Sequence, residues 1–268
     1  MLNLFDAASL FVIYLFSGLL GQVVVLLSDV VITALEFGAN QMQVQNEIFF
    51  EHVMELFSAQ TVETVLISNL IVVLLYWLAF CRRRETLRDY AGFRTPHMFS
   101  VIGALFAGVS LYVLVIGVIQ LLALPNDMME AYNGEMEQFF GGSILPLLIT
   151  SLIVAPLVEE IVFRGALLRA LQKGMNTLLA VLVSSALFAV VHTGPIQMTY
   201  AFVLGLLLCL VRVKSGSLWG AVCLHIAFNA ANFLPCSDVL AGHMPLVLVV
   251  FVCAFMLACV KNKKAGSH

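Results

Sequence analysis

The chain has 268 residues, 62% hydrophobic and 11% charged, with a formal net charge of −3 and a mean hydropathy of +1.03. A water-soluble chain of this length cannot hide so much apolar surface, so the solvent for most of it is lipid. This excludes a soluble basic domain for nucleic acid; it also excludes a membrane β-barrel, whose strands would alternate apolar and polar residues, because the apolar runs here are continuous over roughly 17–28 residues.

An all-α, polytopic transmembrane helical bundle of about eight spans is therefore expected. The segment Met1–Asp6 has neither a basic n-region nor a small-residue cleavage site, so the first span, residues 7–35, is read as retained rather than as a signal peptide. Residues 36–60 are polar but carry Ile48, Phe49, Phe50, Val53, Met54 and Phe57, the pattern of an amphipathic interfacial helix. The second span is residues 61–80, followed by a basic loop at 81–97 that sets topology and meets anionic lipid. The third is residues 98–124, after which Pro125 opens an acidic loop ending near Gly142. The remaining spans are residues 143–172, 177–192, 196–213, 218–234 and 244–260, with a turn at Gly194-Pro195 and a basic tail from Lys261. The six cysteines form no CxxC pair and read as small buried hydrophobes.

Charge segregation tests this count. With eight spans, Arg82–Arg84, Arg88, Arg94, Arg164, Arg169, Lys173, Arg212, Lys214, Lys261, Lys263 and Lys264 all fall on or toward one side. Glu36, Glu47, Glu51, Glu55, Glu63, Asp127, Glu130, Glu135, Glu137 and Asp238 fall on the other. The positive-inside rule then puts both termini in the cytoplasm of an integral membrane protein. Asp29 is placed at the interface, near the outer end of the first span.

An ionisable side chain at the centre of a bilayer costs at least about 2.5–3.5 kcal/mol on insertion scales, so those present mark function. The fourth span holds Glu159-Glu160 and Arg164; Glu160 and Arg164 are four apart and meet on one helix face, acid first. Glu159 is turned away by about 100° and is free to face a reacting water. The fifth span ends in Phe188…His192 and the seventh carries His225…Asn229, each at the same spacing. A carboxylate and imidazoles suit general acid–base work, and an amide with a ring N–H suits an oxyanion. No GxSxG motif or Ser-His-Asp set is present.

Glu159-Glu160…Arg164-Gly165 as EExxxR, then Phe188…His192 as FxxxH, then His225…Asn229 as HxxxN, resemble in this order the CPBP family of intramembrane proteases. That family includes CAAX prenyl proteases and bacteriocin-processing (Abi-like) relatives. The resemblance covers residues 143–234; residues 1–142 carry no motif, and residues 235–268 add the last span and the basic tail, all within one membrane domain. It implies an endopeptidase acting on a membrane-associated peptide or protein; the spacing of Glu159 from Arg164 and Arg169, at most about 15 Å of helix, places the cut in the half of the bilayer nearer the basic side. A leader or signalling peptide is the expected substrate if the cell is bacterial. It implies Glu159 as the base that activates water and His192 as helping to hold that water; His225 and Asn229 orient the substrate carbonyl or stabilise the oxyanion, and Glu160 with Arg164 is a supporting ion pair. No cofactor is expected; were zinc present, Glu159, His192 and His225 would form a His₂Glu set. A non-catalytic immunity or scaffold protein and a proton-coupled transporter stay open beside the peptidase.

Overall fold

The computed structural model describes residues 4–39, 46–81, 86–234 and 242–261; the expectations attached to Met1–Asn3, Glu47, Arg82–Arg84, Cys236, Asp238, Lys263, Lys264 and His268 lie outside the residues or side chains it describes. The described residues form an all-α bundle: α1 (Leu4–Ala39), α2 (Asn46–Ala59), α3 (Thr61–Cys81), α4 (Leu87–Ala91), α5 (Met98–Leu122), α6 (Asn126–Phe140), α7 (Ile144–Leu171), α8 (Thr177–Val190), α9 (Pro195–Ser215), α10 (Leu218–Ala230, extended by a 3₁₀ turn at Ala231–Phe233) and α11 (Met244–Ala258). Among them, α1, α3, α5, α7 and α9 are long and apolar enough to cross a membrane; α8, α10 and α11 are shorter apolar helices. The protein is an integral membrane protein.

Each of the eight anticipated spans is realised as an apolar helix, three of them short. The 14 residues of α8 reach only about 21 Å, less than the ~30 Å of a hydrocarbon core. The polar connectors are more ordered than anticipated. The acidic loop is mostly the helix α6, and a short helix, α4, sits in the basic loop with Thr86 as N-cap and Gly92 in the left-handed region at φ 81°. Asp29 is fully buried and accepts a 2.7 Å bond from Gln60 Nε2 in the α2–α3 turn, just before the second span begins.

Large apolar side chains such as Leu15, Phe16, Leu19, Trp77 and Phe106 face outward, where lipid is their solvent, while the interior combines buried Leu, Phe and Tyr side chains with small residues where helices approach closely. On α5 these are Ser100, Gly103, Ala104, Ala107 and Gly108, which let α11 and α10 come close. At Gly108 an added Cβ would lie 2.7 Å from Ala227 Cβ and 2.8 Å from Phe228 N, against the Leu224 carbonyl. Backbone cannot yield there, so Gly108→Val is expected to cost about 1–3 kcal/mol or more, read as a lowered unfolding midpoint in detergent. Hydroxyls tie the helices: Tyr76 donates to the Leu10 carbonyl at 2.8 Å, Ser100 to Ala258 at 2.6 Å and Ser184 to Phe163 at 3.1 Å.

The two ends of the bundle differ. At one, Arg169 donates to the Tyr90 carbonyl, Arg212 to Ala91 and Ser217 to Arg94, so α4 and its flanks close that end with basic residues. At the other lie the acidic helices α2 and α6 and the short ends of α8 and α10; Gln138 donates to the Ser58 carbonyl at 3.1 Å, and Phe140 meets Phe233 edge-on at 5.6 Å.

Candidate active site

The fourth span is not a regular helix. Thr150–Val154 and Glu160–Leu167 are π-helical, separated by one α-turn. Such widened turns in a helix are frequent at functional sites, and here they do local work. In the first of them the Ala155 N–H bonds the Thr150 carbonyl. The next residue, Pro156, has no N–H to give. The Ser151 carbonyl thus loses the usual helix donors, and Asn229 Nδ2 takes it at 2.9 Å. The irregular backbone of α7 thereby fixes a side chain on α10.

Glu160 is fully buried. Its Oε1 accepts from Arg164 Nη1 at 2.9 Å, the i,i+4 pair expected from the spacing, and from His225 Nδ1 at 2.9 Å. The Arg164 guanidinium, also buried, lies over the Phe188 ring at 4.0 Å, a cation–π contact that compensates part of its lost hydration. Phe188 meets His192 at 4.6 Å and His225 at 5.8 Å, both edge-on, so one ring packs against three polar partners.

Glu159, on the α-turn, reaches the other nitrogen of the same imidazole: its Oε2 is 3.8 Å from His225 Nε2. That gap is too long for a direct hydrogen bond and suits a bridging water. Both ring nitrogens of His225 thus face carboxylate oxygens, Nδ1 in a hydrogen bond with Glu160 and Nε2 toward Glu159 and the cavity. His192 lies just beyond α8, with Nδ1 2.7 Å from the Phe188 carbonyl. A carbonyl only accepts, so Nδ1 carries a proton and Nε2 is the acceptor of the neutral ring. The four-residue spacing of Phe188 and His192 thus creates a side chain-to-backbone bond.

Glu159, His192, His225 and Asn229 all line one cavity of about 360 Å³; Glu160 and Arg164 stand behind it. By helix rise, Glu159 is about 22 Å from the start of α7 and about 18 Å from its end, near mid-span. From there the cavity extends toward the acidic end, where Thr61, Glu135, Gln138, Thr193 and Asn232 line it, whereas the sequence places the cleaved bond nearer the basic side. The cause is that α8 stops short and leaves room above His192, while α4 and its arginine contacts fill the opposite end. Among the described residues no three His, Cys, Asp or Glu side chains converge as metal ligands, so Glu159, His192 and His225 as placed do not form a His₂Glu set.

Sequence reasoning did not single out Ser151, Pro156 or the cavity-facing Glu135. A proline inside a membrane span was the available signal for the first two, since it must leave a carbonyl unpaired. Glu135 had none, being one acid among several in a segment read as loop.

Residues 141–231 match the model of the family described as type II CAAX prenyl endopeptidase Rce1-like, so the resemblance carried by the three motifs holds over that segment. The chain is 28% identical over 201 residues to an uncharacterized 24.3 kDa protein of Escherichia coli, covering 71% of this chain and 81% of that one. It is 29% identical over 83 residues to YdiL of Bacillus subtilis (strain 168), whose membrane-peptidase designation is provisional; this covers 31% of this chain and about a third (34%) of YdiL. No solved structure gives a significant match.

Proposed function

From the premise that residues 141–231 match the Rce1-like type II CAAX prenyl endopeptidase family, we propose that this protein is an intramembrane endopeptidase that hydrolyses a peptide bond of a membrane-associated peptide or protein. The observation that carries this reading is the convergence of Glu159, His192, His225 and Asn229 on one cavity near mid-span. Glu159 takes a proton from a water held in the gap to His225 Nε2. The water oxygen bonds to the substrate carbonyl carbon, and the carbonyl oxygen becomes the oxyanion. The donors for that charge are the Asn229 N–H left over from its bond to Ser151 and an N–H at His225 Nε2. Collapse breaks the C–N bond, and the proton held by Glu159 goes to the leaving amine. His192 Nε2 holds the water by accepting its second hydrogen. Glu160 and Arg164 keep the His225 ring and Phe188 in place. No metal is needed for this sequence of steps.

With the basic end in the cytoplasm, the cavity opens toward the opposite face, and substrates enter from that side or laterally from the bilayer. The test is turnover of a fluorogenic membrane-peptide library by the purified protein in detergent, with and without a zinc chelator. Cleavage that survives chelation is expected. Cleavage lost to chelator and restored by zinc would replace the carboxylate mechanism by a metal one. A transporter or an immunity protein would cleave nothing.

A further inference from the structure

The peptidase reading leaves one cavity residue without a task. Helix α6 lies across the acidic-end mouth. Its Gln138 bonds the end of α2, its Phe140 packs on Phe233 after α10, and its Tyr132 hydrogen-bonds Tyr200 of α9. Glu135, between these anchors, lines the cavity together with Glu159. Its carboxylate fits against Gly194, where an added Cβ would lie 2.6 and 2.8 Å from the two oxygens. Its Oε2 is buried and takes no hydrogen bond. The adjoining start of α9 offers a favourable potential to an anion, but Pro195, its first residue, has no N–H to donate. A buried carboxylate oxygen without a donor is costly unless something completes it. Among the described residues no Lys or Arg lines the cavity; its titratable groups are the carboxylates of Glu135 and Glu159 and the imidazoles of His192 and His225.

We propose that Glu135 is a specificity-determining residue, selecting peptides that place a Lys or Arg side chain beside the scissile bond. The inference rests on the peptidase reading and deepens it. The incoming ammonium or guanidinium pairs with the Glu135 carboxylate, which turns about its last side-chain bond to bring Oε2 from Gly194 into the cavity, while an Asp or Glu at the same position meets two like charges. Because α6 roofs the cavity, this contact forms only with a substrate seated beneath it. The Gly194 site gives the carboxylate its room, since any side chain there would displace it.

The test uses the full-length protein in detergent and three matched fluorogenic peptide sets, carrying Lys, norleucine or Glu at each position within three residues of the cleaved bond. The wild type is expected to favour Lys over Glu by about tenfold or more in kcat/KM at one position. Glu135→Gln brings that ratio to within about threefold, and Glu135→Lys reverses it. A purely structural role for Glu135 would move all three peptide sets together and leave the ratio intact. Binding of the same peptides to Glu159→Gln protein, followed by fluorescence anisotropy, reads the preference without turnover. A Lys preference in binding that vanishes in the Glu135→Gln/Glu159→Gln double variant supports Glu135 even where the wild type cleaves nothing. Turnover without a Lys preference overturns the role of Glu135 and leaves the peptidase standing. Neither turnover nor preference overturns both.

Discussion

Glu159→Gln is expected to lower kcat by about 10²–10⁴-fold, the range for loss of a positioned general base, with an unfolding midpoint indistinguishable from that of the wild type. Gln keeps the shape of the side chain and its hydrogen-bonding oxygen but cannot accept a proton. Glu159 lines the cavity, and its nearest ionic partner, His225 Nε2, is 3.8 Å away, so no tight structural pair is lost. Its neighbour Glu160 accepts from both Arg164 and His225 and is fully enclosed, which makes the two adjacent acids separable by experiment. Turnover of the best library peptide and thermal unfolding are measured on the same preparation. Full activity in a stably folded Glu159→Gln protein would sink its assignment as the base.

Arg164→Met is expected to act in the opposite way, on stability first, by about 3–5 kcal/mol, the cost of stranding one member of a buried ion pair. Both side chains of the Glu160–Arg164 pair are fully buried. Removing the guanidinium leaves a carboxylate facing only His225 and takes the cation from the face of Phe188. The double variant Glu160→Gln/Arg164→Met is expected to regain much of the loss, because neither charge is then left alone. A double-mutant cycle on unfolding midpoints in detergent checks this; strictly additive losses would show that the pair is not coupled.

The contrast between these neighbours could be read in part from sequence. The i,i+4 spacing of Glu160 and Arg164 implied their pairing, and each apolar run became a helix within a few residues of its expected bounds. Three things could not be read. The burial of Asp29 depends on which helix packs beside it, and Gln60 approaches from 31 positions away. Helix α6 looked like a loop because Pro125, Gly134 and its acids are turn-like in composition, while the face that roofs the cavity is recognisable only once α9 and α10 are in place. The π-turns of α7 were invisible because a helix apolar on nearly every side has no hydrophobic phase whose slip would reveal an extra residue per turn. The meeting of His192, His225 and Asn229 at one cavity depended in turn on how short α8 is, a length set by where the chain turns at Gly194 and not by any residue of the motif.

The widened turns of α7 have a consequence for how this protein tolerates change in chain length. A π-turn accommodates one residue more than the α-helix would, so removing a residue from Thr150–Val154 would let the backbone relax to regular register. The segments on either side would keep their facing, because the π-turn absorbs its extra residue locally, but the carbonyls within the turn would be re-aimed. The Ser151 carbonyl, which the π register and Pro156 leave to Asn229, would turn away from α10 without any catalytic side chain having been altered. In this span a one-residue deletion is as disruptive as replacing a motif residue, whereas in the solvent-facing connectors the same change would be absorbed. Relatives of this protein that differ by a single gap within the fourth span should therefore be expected to differ in activity even where every motif letter agrees.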